Sequence, residues 1–186
     1  MTERTTPVRL GFIGAGYMGQ LAHIENYWKL PNVRLVALAE GRSKTAAKVA
    51  RTYGIEKTYV THADLLADAT VDAVLAIGPF ALNAYLVEDA LNAGCHVLTE
   101  KPQVNTSGRG RELIRLAEQH QRVYQVGYMK RFDPGVRWAK QRIAQWTESG
   151  AFGGMISFRI WCAHGAWNWF REPPINEGDS TPHYPA

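Results

Sequence analysis

Val8-Arg9-Leu10-Gly11-Phe12-Ile13-Gly14-Ala15-Gly16-Tyr17-Met18-Gly19 is the stretch whose reading decides the fold. Residues 10–13 form an apolar run of the kind that makes a short buried strand, and a helical pattern follows over residues 18–28. Strand, glycine turn and helix in that order make the phosphate-gripping start of a dinucleotide-binding unit. Gly14 permits the tight turn, Gly16 lets the backbone approach a pyrophosphate, and Gly19 allows close packing of helix on strand. Tyr17 and Met18 complete the turn beside the ligand. The helix N-terminus adds free N–H groups and a partial positive charge for the anion.

The same glycine spacing also arises in turns that hold no ligand, so the second half of the fingerprint has to be tested. A second apolar run, residues 33–39, ends in Glu40, twenty-one residues after Gly19. An acid about 20 residues beyond the turn is placed to accept hydrogen bonds from the adenosine ribose hydroxyls. Strand, turn, helix, strand and acid together specify a nucleotide site; the alternative is a parallel-sheet turn whose glycines serve packing alone.

Beyond Glu40, strand and helix keep alternating. Ser43 can cap a helix over 44–53 that Gly54 ends. Residues 58–60 read as a strand and 63–68 as a small helix. Residues 71–77 are apolar enough for a strand covered on both faces, and stop at Gly78-Pro79. A helix over 81–93, a strand over 96–99, a helix over 107–120 and a strand over 123–127 complete the series. The pattern predicts an α/β fold with a doubly wound parallel sheet, whose strands all end on one edge where ligands bind.

The character changes near Arg131. Asp133 caps a helix beginning at Pro134, with Val136, Ala139, Ile143 and Trp146 as its expected buried stripe. Residues 156–160 then alternate apolar and polar, as a one-sided antiparallel strand does, and Trp161 follows. Two domains are therefore expected: residues 1–128 as the dinucleotide-binding domain, and 129–186 as the beginning of a second, incomplete α+β domain.

Composition fits this reading. Of 186 residues, 46% are hydrophobic and 20% charged, and the net charge is +4. So mild and dispersed an excess speaks against a nucleic-acid groove, and no recognition helix or basic stripe appears. The N-terminus has no apolar signal core and no apolar run approaches membrane-spanning length, so no membrane association is expected and a cytoplasmic location is. Cys95 and Cys162 stand without CxxC spacing; they could form one disulfide, but two free thiols suit a reducing compartment better. No metal site is read.

Three loops should lie on the edge of the glycine turn: residues 78–83, 100–102 and 128–132. Lys101, held between a buried strand and Pro102, is the sharpest candidate for chemistry, since its ammonium could bind a substrate hydroxyl or, with its pKa lowered, shuttle that hydroxyl's proton. Spacing alone leaves open a surface lysine paired with Glu100.

The glycine turn with its acid, the loop at Gly78-Pro79, the segment Ala93-Gly94-Cys95-His96-Val97-Leu98-Thr99-Glu100-Lys101-Pro102, and Gly127-Tyr128-Met129-Lys130-Arg131-Phe132-Asp133-Pro134 occur in one order. Together they resemble the family of glucose–fructose oxidoreductase, inositol dehydrogenase and rhizopine catabolism protein, and the likeness runs to about Trp161. The resemblance implies an N-terminal Rossmann domain, a C-terminal domain on an open antiparallel sheet, and NAD(P)-dependent oxidoreduction of a sugar, cyclitol or related polyol. It implies that Lys101 binds the substrate hydroxyl and assists proton transfer, that Glu100 lies near the nicotinamide ribose, and that the Lys101–Pro102 bond is cis. Pro79 and the residues after it would line the nicotinamide side, where Asn83 replaces a histidine common in the family.

Glu40 favours NAD, because a carboxylate repels the 2′-phosphate of NADP. Arg42 and Ser43 follow it and can grip that phosphate, which leaves NADP open. Asp179 and His183 match the family's Asp-x-x-x-His spacing, with Asp179 as substrate ligand and His183 as general acid/base on one helical face; ordinary loop residues give the same spacing. Arg171, in Trp169-Phe170-Arg171, resembles a family segment near the nicotinamide, or packs an aromatic loop. Family members are about twice this long and often assemble as homo-oligomers through the sheet of the second domain. The chain is accordingly expected to be a fragment with reduced or absent activity. The competing expectation is a non-catalytic dinucleotide-binding regulatory module of the same fold.

Overall fold

The computed structural model describes residues 6–68, 71–161 and 174–179. The chain forms two units: the first takes the chain to Gly127 together with residues 174–179, and the second begins at Tyr128.

The first unit is built on six parallel strands: β1 (Val8–Ile13), β2 (Val33–Ala39), β3 (Lys57–Tyr59), β4 (Ala73–Ala76), β5 (His96–Thr99) and β6 (Tyr124–Val126), in the order β3-β2-β1-β4-β5-β6. Its helices are α1 (Glu25–Trp28), α2 (Ser43–Tyr53), α3 (His62–Ala67), α4 (Asn83–Asn92) and α5 (Ser107–Gln119). The expected doubly wound sheet is therefore formed, with its reversal of strand order between β1 and β4. Alternation along β1 divides the core between two faces. Phe12 and Leu10 pack with Ile24, Ala46 and Val49 on one side, while Ile13 packs with Leu65, Leu86, Leu91 and Leu113 on the other. Among the described residues, Cys95 is a free, buried thiol, and burial raises its pKa; Cys162 lies outside them.

Register puts the functional edge in one row. Ile13 pairs with both Ala39 and Ala76, Ala76 with Thr99, and Thr99 with Val126. The next residue of each strand, Gly14, Glu40, Ile77, Glu100 and Gly127, therefore stands at the same level along the C-terminal edge.

The helix after the glycine turn departs from expectation. It opens with a π-helical segment, Gly19–Ile24, before α1. This wider turn buries Gln20 and His23 together with Ile24, and such turns occur often at functional sites.

In the second unit α6 (Pro134–Ser149) begins as expected: Asp133 accepts from Gly135 N–H at 3.0 Å and Val136 N–H at 3.3 Å. Its expected stripe is not buried, however. No residue of α6 is buried, and Ala139, Ile143 and Trp146 instead face an apolar groove of about 520 Å³ with Phe152 and Phe158. Nor do residues 156–160 form a strand. An alternating pattern specifies which face is apolar, but a strand also needs a hydrogen-bonded neighbour, and none is present among the described residues. Among those residues, no helix is long and apolar enough to cross a membrane.

Candidate active site

The three glycines of the turn are needed for three different reasons. Gly14 has φ +94°, and a Cβ there would sit 2.4 Å from the carbonyl oxygen of Ile77. Gly19 is packed so closely that a Cβ would lie 2.7 Å from the carbonyl oxygen of Gly14. At Gly16 a Cβ would meet nothing within 4 Å, so this backbone faces open space of the kind a pyrophosphate needs. Tyr17 is half-buried and Met18 exposed beside it.

Glu40 is buried at the end of β2, and its carboxylate is fully engaged. Oε2 accepts from the Ala15 N–H at 2.9 Å and from Arg42 Nη2 at 3.0 Å. Oε1 accepts from the Arg42 N–H at 3.1 Å and from Arg42 Nε at 3.0 Å. Burial alone would raise the pKa of Glu40, but the Arg42 guanidinium and the two backbone N–H groups outweigh it and hold the group below its ordinary value. Arg42 also reaches the carbonyl of Ala15, at 3.1 Å. The acid and the arginine expected to compete over the cofactor's ribose are thus clamped to each other and to the glycine turn.

Ser43 opens α2, but its predicted cap is not made; the helix start has no cap bond from a side chain at the position before it. Asp179 makes it instead. Its Oδ2 accepts from Lys44 N–H at 2.8 Å and Thr45 N–H at 3.4 Å, and its Oδ1 accepts from Thr45 Oγ1 at 2.7 Å.

At the far side of the switch point, Glu100 follows β5. Its Oε1 lies 2.9 Å from Nε2 of His23, and its Oε2 accepts from the Lys101 N–H at 3.2 Å. Gly127 leaves room for this carboxylate, since a Cβ there would approach Glu100 Oε1 to 3.3 Å. The Lys101–Pro102 bond is cis, as the resemblance implies, and the Lys101 side chain is exposed. Glu100 is bonded to the His23 ring, so the alternative of a surface Glu100–Lys101 pair is not what forms. Pro79 leads a short turn into α4, accepting from the Leu82 N–H at 2.8 Å. Asn83, the first residue of α4, is buried; its Nδ2 approaches the carbonyls of Glu100 and Pro102 at 3.5 Å, while its Oδ1 has no partner.

The structure therefore gathers Gly14, Gly16, Tyr17, Met18, Gly19, Glu40, Arg42, Ser43, Pro79, Asn83, Glu100 and Lys101 along one sheet edge. Asp179 is a correction. It was expected as a substrate ligand, but it sits at the start of α2, beyond β2. Lys101 follows β5, three strand spacings or about 14 Å along the sheet, and both oxygens of Asp179 are taken up by α2. His183 and Arg171 lie outside the described residues. Two buried positions beside the glycine turn escaped the sequence. His23 is one; its only signal was a lone histidine four residues after Gly19. Gln20 is the other: its side-chain amide binds the Ala15 carbonyl at 2.8 Å and both backbone groups of Ile175, at 2.9 and 2.8 Å.

A turn open at Gly16, an acid at the end of β2 and the unsatisfied buried Asn83 Oδ1 all fit a dinucleotide laid along this edge. Residues 8–128 match the oxidoreductase family with an NAD-binding Rossmann fold typified by glucose–fructose oxidoreductase, inositol dehydrogenase and rhizopine catabolism protein. The chain belongs to this family. Among the family's relatives, the inositol 2-dehydrogenase of Rubrobacter xylanophilus is 33% identical over 156 residues, covering 83% of this chain and 43% of the relative. The scyllo-inositol dehydrogenase of Lactobacillus casei, solved with NAD(H) and scyllo-inositol, superposes with a TM-score of 0.70 at 29% identity, over 80% of this chain and 43% of that one. A 3-ketoreductase from Actinomadura kijaniata, solved with TDP-benzene and NADP, superposes with a TM-score of 0.69 at 26% identity, over 80% and 45%. The chain thus spans less than half the length of these family members.

Proposed function

We propose that this chain provides the cofactor-binding half of an NAD(P)-dependent dehydrogenase or reductase acting on a CH–OH group of a sugar, cyclitol or related polyol. The observation that carries the proposal is the His23–Glu100 pair. It fastens the helix of the glycine turn to the loop bearing Lys101, so that a dinucleotide gripped by the turn has a rigid lysine at its other end. The nicotinamide, when bound, supplies the hydride acceptor or donor. Gly14, Gly16 and Gly19 would hold the pyrophosphate and Glu40 the adenosine ribose. Glu100, Asn83 and Pro79 would hold the nicotinamide end. Lys101 Nζ hydrogen-bonds the substrate hydroxyl and accepts its proton as the carbinol is oxidised; in reduction it returns the proton to the carbonyl oxygen.

Because relatives are named for inositols, cyclitols are the first substrates to test. The full-length form is mixed with NAD and a panel of inositols and sugars, and reduced nicotinamide is followed by absorbance, with Lys101→Met alongside. Turnover on a cyclitol that falls about 10²–10⁴-fold in Lys101→Met is expected; equal turnover in both would overturn the role of Lys101. One observation favours a second reading, a non-catalytic dinucleotide-binding module: Asp179, expected in the substrate pocket, is committed to α2. Tight NAD binding with no turnover across the panel would establish that reading instead.

A further inference from the structure

We propose that Asp179 determines cofactor specificity: its carboxylate occupies the place at the N-terminus of α2 that the 2′-phosphate of NADP would take, so that the chain accepts NAD and rejects NADP. The inference rests on the dinucleotide reading of the glycine turn and adds to it a residue remote in sequence.

α2 begins three residues after Glu40, next to the acid expected to bind the adenosine ribose. A phosphate on the ribose 2′-oxygen would need donors here, and two sets exist: the Arg42 guanidinium, and the free N–H groups of the first turn of α2. Both are already taken by carboxylates. Arg42 is held by Glu40 through Nε and Nη2, each at 3.0 Å. The N–H groups of Lys44 and Thr45, and the Thr45 hydroxyl, are held by Asp179 at 2.8, 3.4 and 2.7 Å. Asp179 therefore sits where an anion would sit, with an anion's hydrogen bonds.

The segment bearing Asp179 is built into this position. Both backbone groups of Ile175 are bound by the buried Gln20 amide, and its side chain packs on the core beneath α2. The Glu177 N–H donates to Thr45 Oγ1 at 3.3 Å, and the Glu177 carboxylate pairs with Lys48. Gly178, with φ +71° and its N–H bound to Asn176 Oδ1 at 3.1 Å, turns the chain so that Asp179 meets the helix. The buried Thr45 hydroxyl is shared, accepting from Glu177 and donating to Asp179. A doubly charged 2′-phosphate entering here would have to displace Asp179 from α2 and lie between it and Glu40, against like charge on both sides. A 2′-hydroxyl makes no such demand.

The test is calorimetric titration of the chain with NAD and with NADP, repeated on Asp179→Ala and Asp179→Asn. Removing the charge is expected to raise the affinity for NADP relative to NAD by about tenfold or more. Asp179→Asn keeps an oxygen able to cap α2, so it gives the comparison even if the alanine variant frays the helix. An unchanged ratio in both variants, with NAD still bound, would overturn the proposal. So would an equal gain for both dinucleotides, which would make the segment a general cover over the site. Failure of every form to bind either dinucleotide would overturn the cofactor reading itself, and this proposal with it.

Discussion

His23 and Glu100, 77 positions apart in sequence, meet with Nε2 2.9 Å from Oε1. The pair joins the helix after the glycine turn to the loop that carries Lys101. Behind it, the His23 ring stacks on Tyr27 at 6.4 Å, and Tyr27 meets Phe12 edge-on at 6.3 Å. The other oxygen of Glu100 holds the Lys101 N–H at 3.2 Å, so an aromatic column rising from the core sets the position of the lysine backbone.

On the proposed role of Lys101, His23 is a positioning residue. A hydrogen bond to a charged group contributes about 1.5–3 kcal/mol, so His23→Ala is expected to lower kcat about tenfold or more, with KM for substrate changed far less. His23→Gln, which retains a donor, should restore most of the loss. Steady-state kinetics of the two variants check this, and a drop in kcat that glutamine fails to rescue would mean that His23 serves packing alone.

The turn glycines separate stability from binding. Gly14→Ala places a Cβ at 2.4 Å from a backbone carbonyl in a conformation with φ +94°, so it should destabilise the first unit by roughly 1–3 kcal/mol or more. Gly16→Ala meets nothing within 4 Å; it should leave the denaturation midpoint near that of the parent chain while weakening NAD binding. Urea unfolding followed by calorimetry on both variants makes the comparison, and a Gly16→Ala variant that binds NAD normally would remove Gly16 from the pyrophosphate site.

Most of the first unit was legible because burial on both faces of a parallel sheet writes itself as apolar runs separated by helical periods. Residues 33–39 and 96–99 became β2 and β5 without change of bounds. What was not legible depends on partners distant in the chain. The start of α2 was assigned to the cap Ser43 because a serine at a helix start is locally sufficient, and nothing near it announces that Asp179 will take the task. The π-helical turn that buries Gln20 and His23 has no period of its own in so short a segment. Residues 156–160 show the opposite failure: a clear local pattern with no neighbouring strand to complete it. In the site, the glycines, Glu40, Glu100 and Lys101 could be placed from strand ends alone, whereas the pairings of Glu40 with Arg42 and of Glu100 with His23 could not.

Glu40 makes stability pH-dependent with a definite sign. Burial pushes its pKa up, but the Arg42 guanidinium and the N–H groups of Ala15 and Arg42 more than reverse this, and the folded value lies below the ordinary one. A carboxylate depressed in the folded state adds stability that is complete above its unfolded pKa of about 4.3 and is lost as pH falls through the folded value. Asp133 and Asp179 are lowered as well, so the parent chain alone cannot isolate the effect. Glu40→Gln can: its denaturation midpoint should fall less steeply with acidification than that of the parent, and parallel curves would show that the Glu40–Arg42 clamp does not couple protonation to folding.

Two aromatic residues read alike from sequence should answer differently to truncation. Phe12 lies in β1 with no exposed surface, in a core that Ile24, Leu38 and Val49 complete. Phe12→Ala is expected to cost about 3–5 kcal/mol, a large part of the stability of a domain this size. Trp146, expected on a buried stripe, is 48% exposed and meets Phe152 edge-on at 5.4 Å. Its truncation should forfeit little beyond that ring contact, about 0.5–1.5 kcal/mol. Far-UV circular dichroism during urea unfolding of Phe12→Ala and Trp146→Ala checks the contrast. Equal losses would mean that α6 is buried in solution against a surface that its packing in the structure does not include.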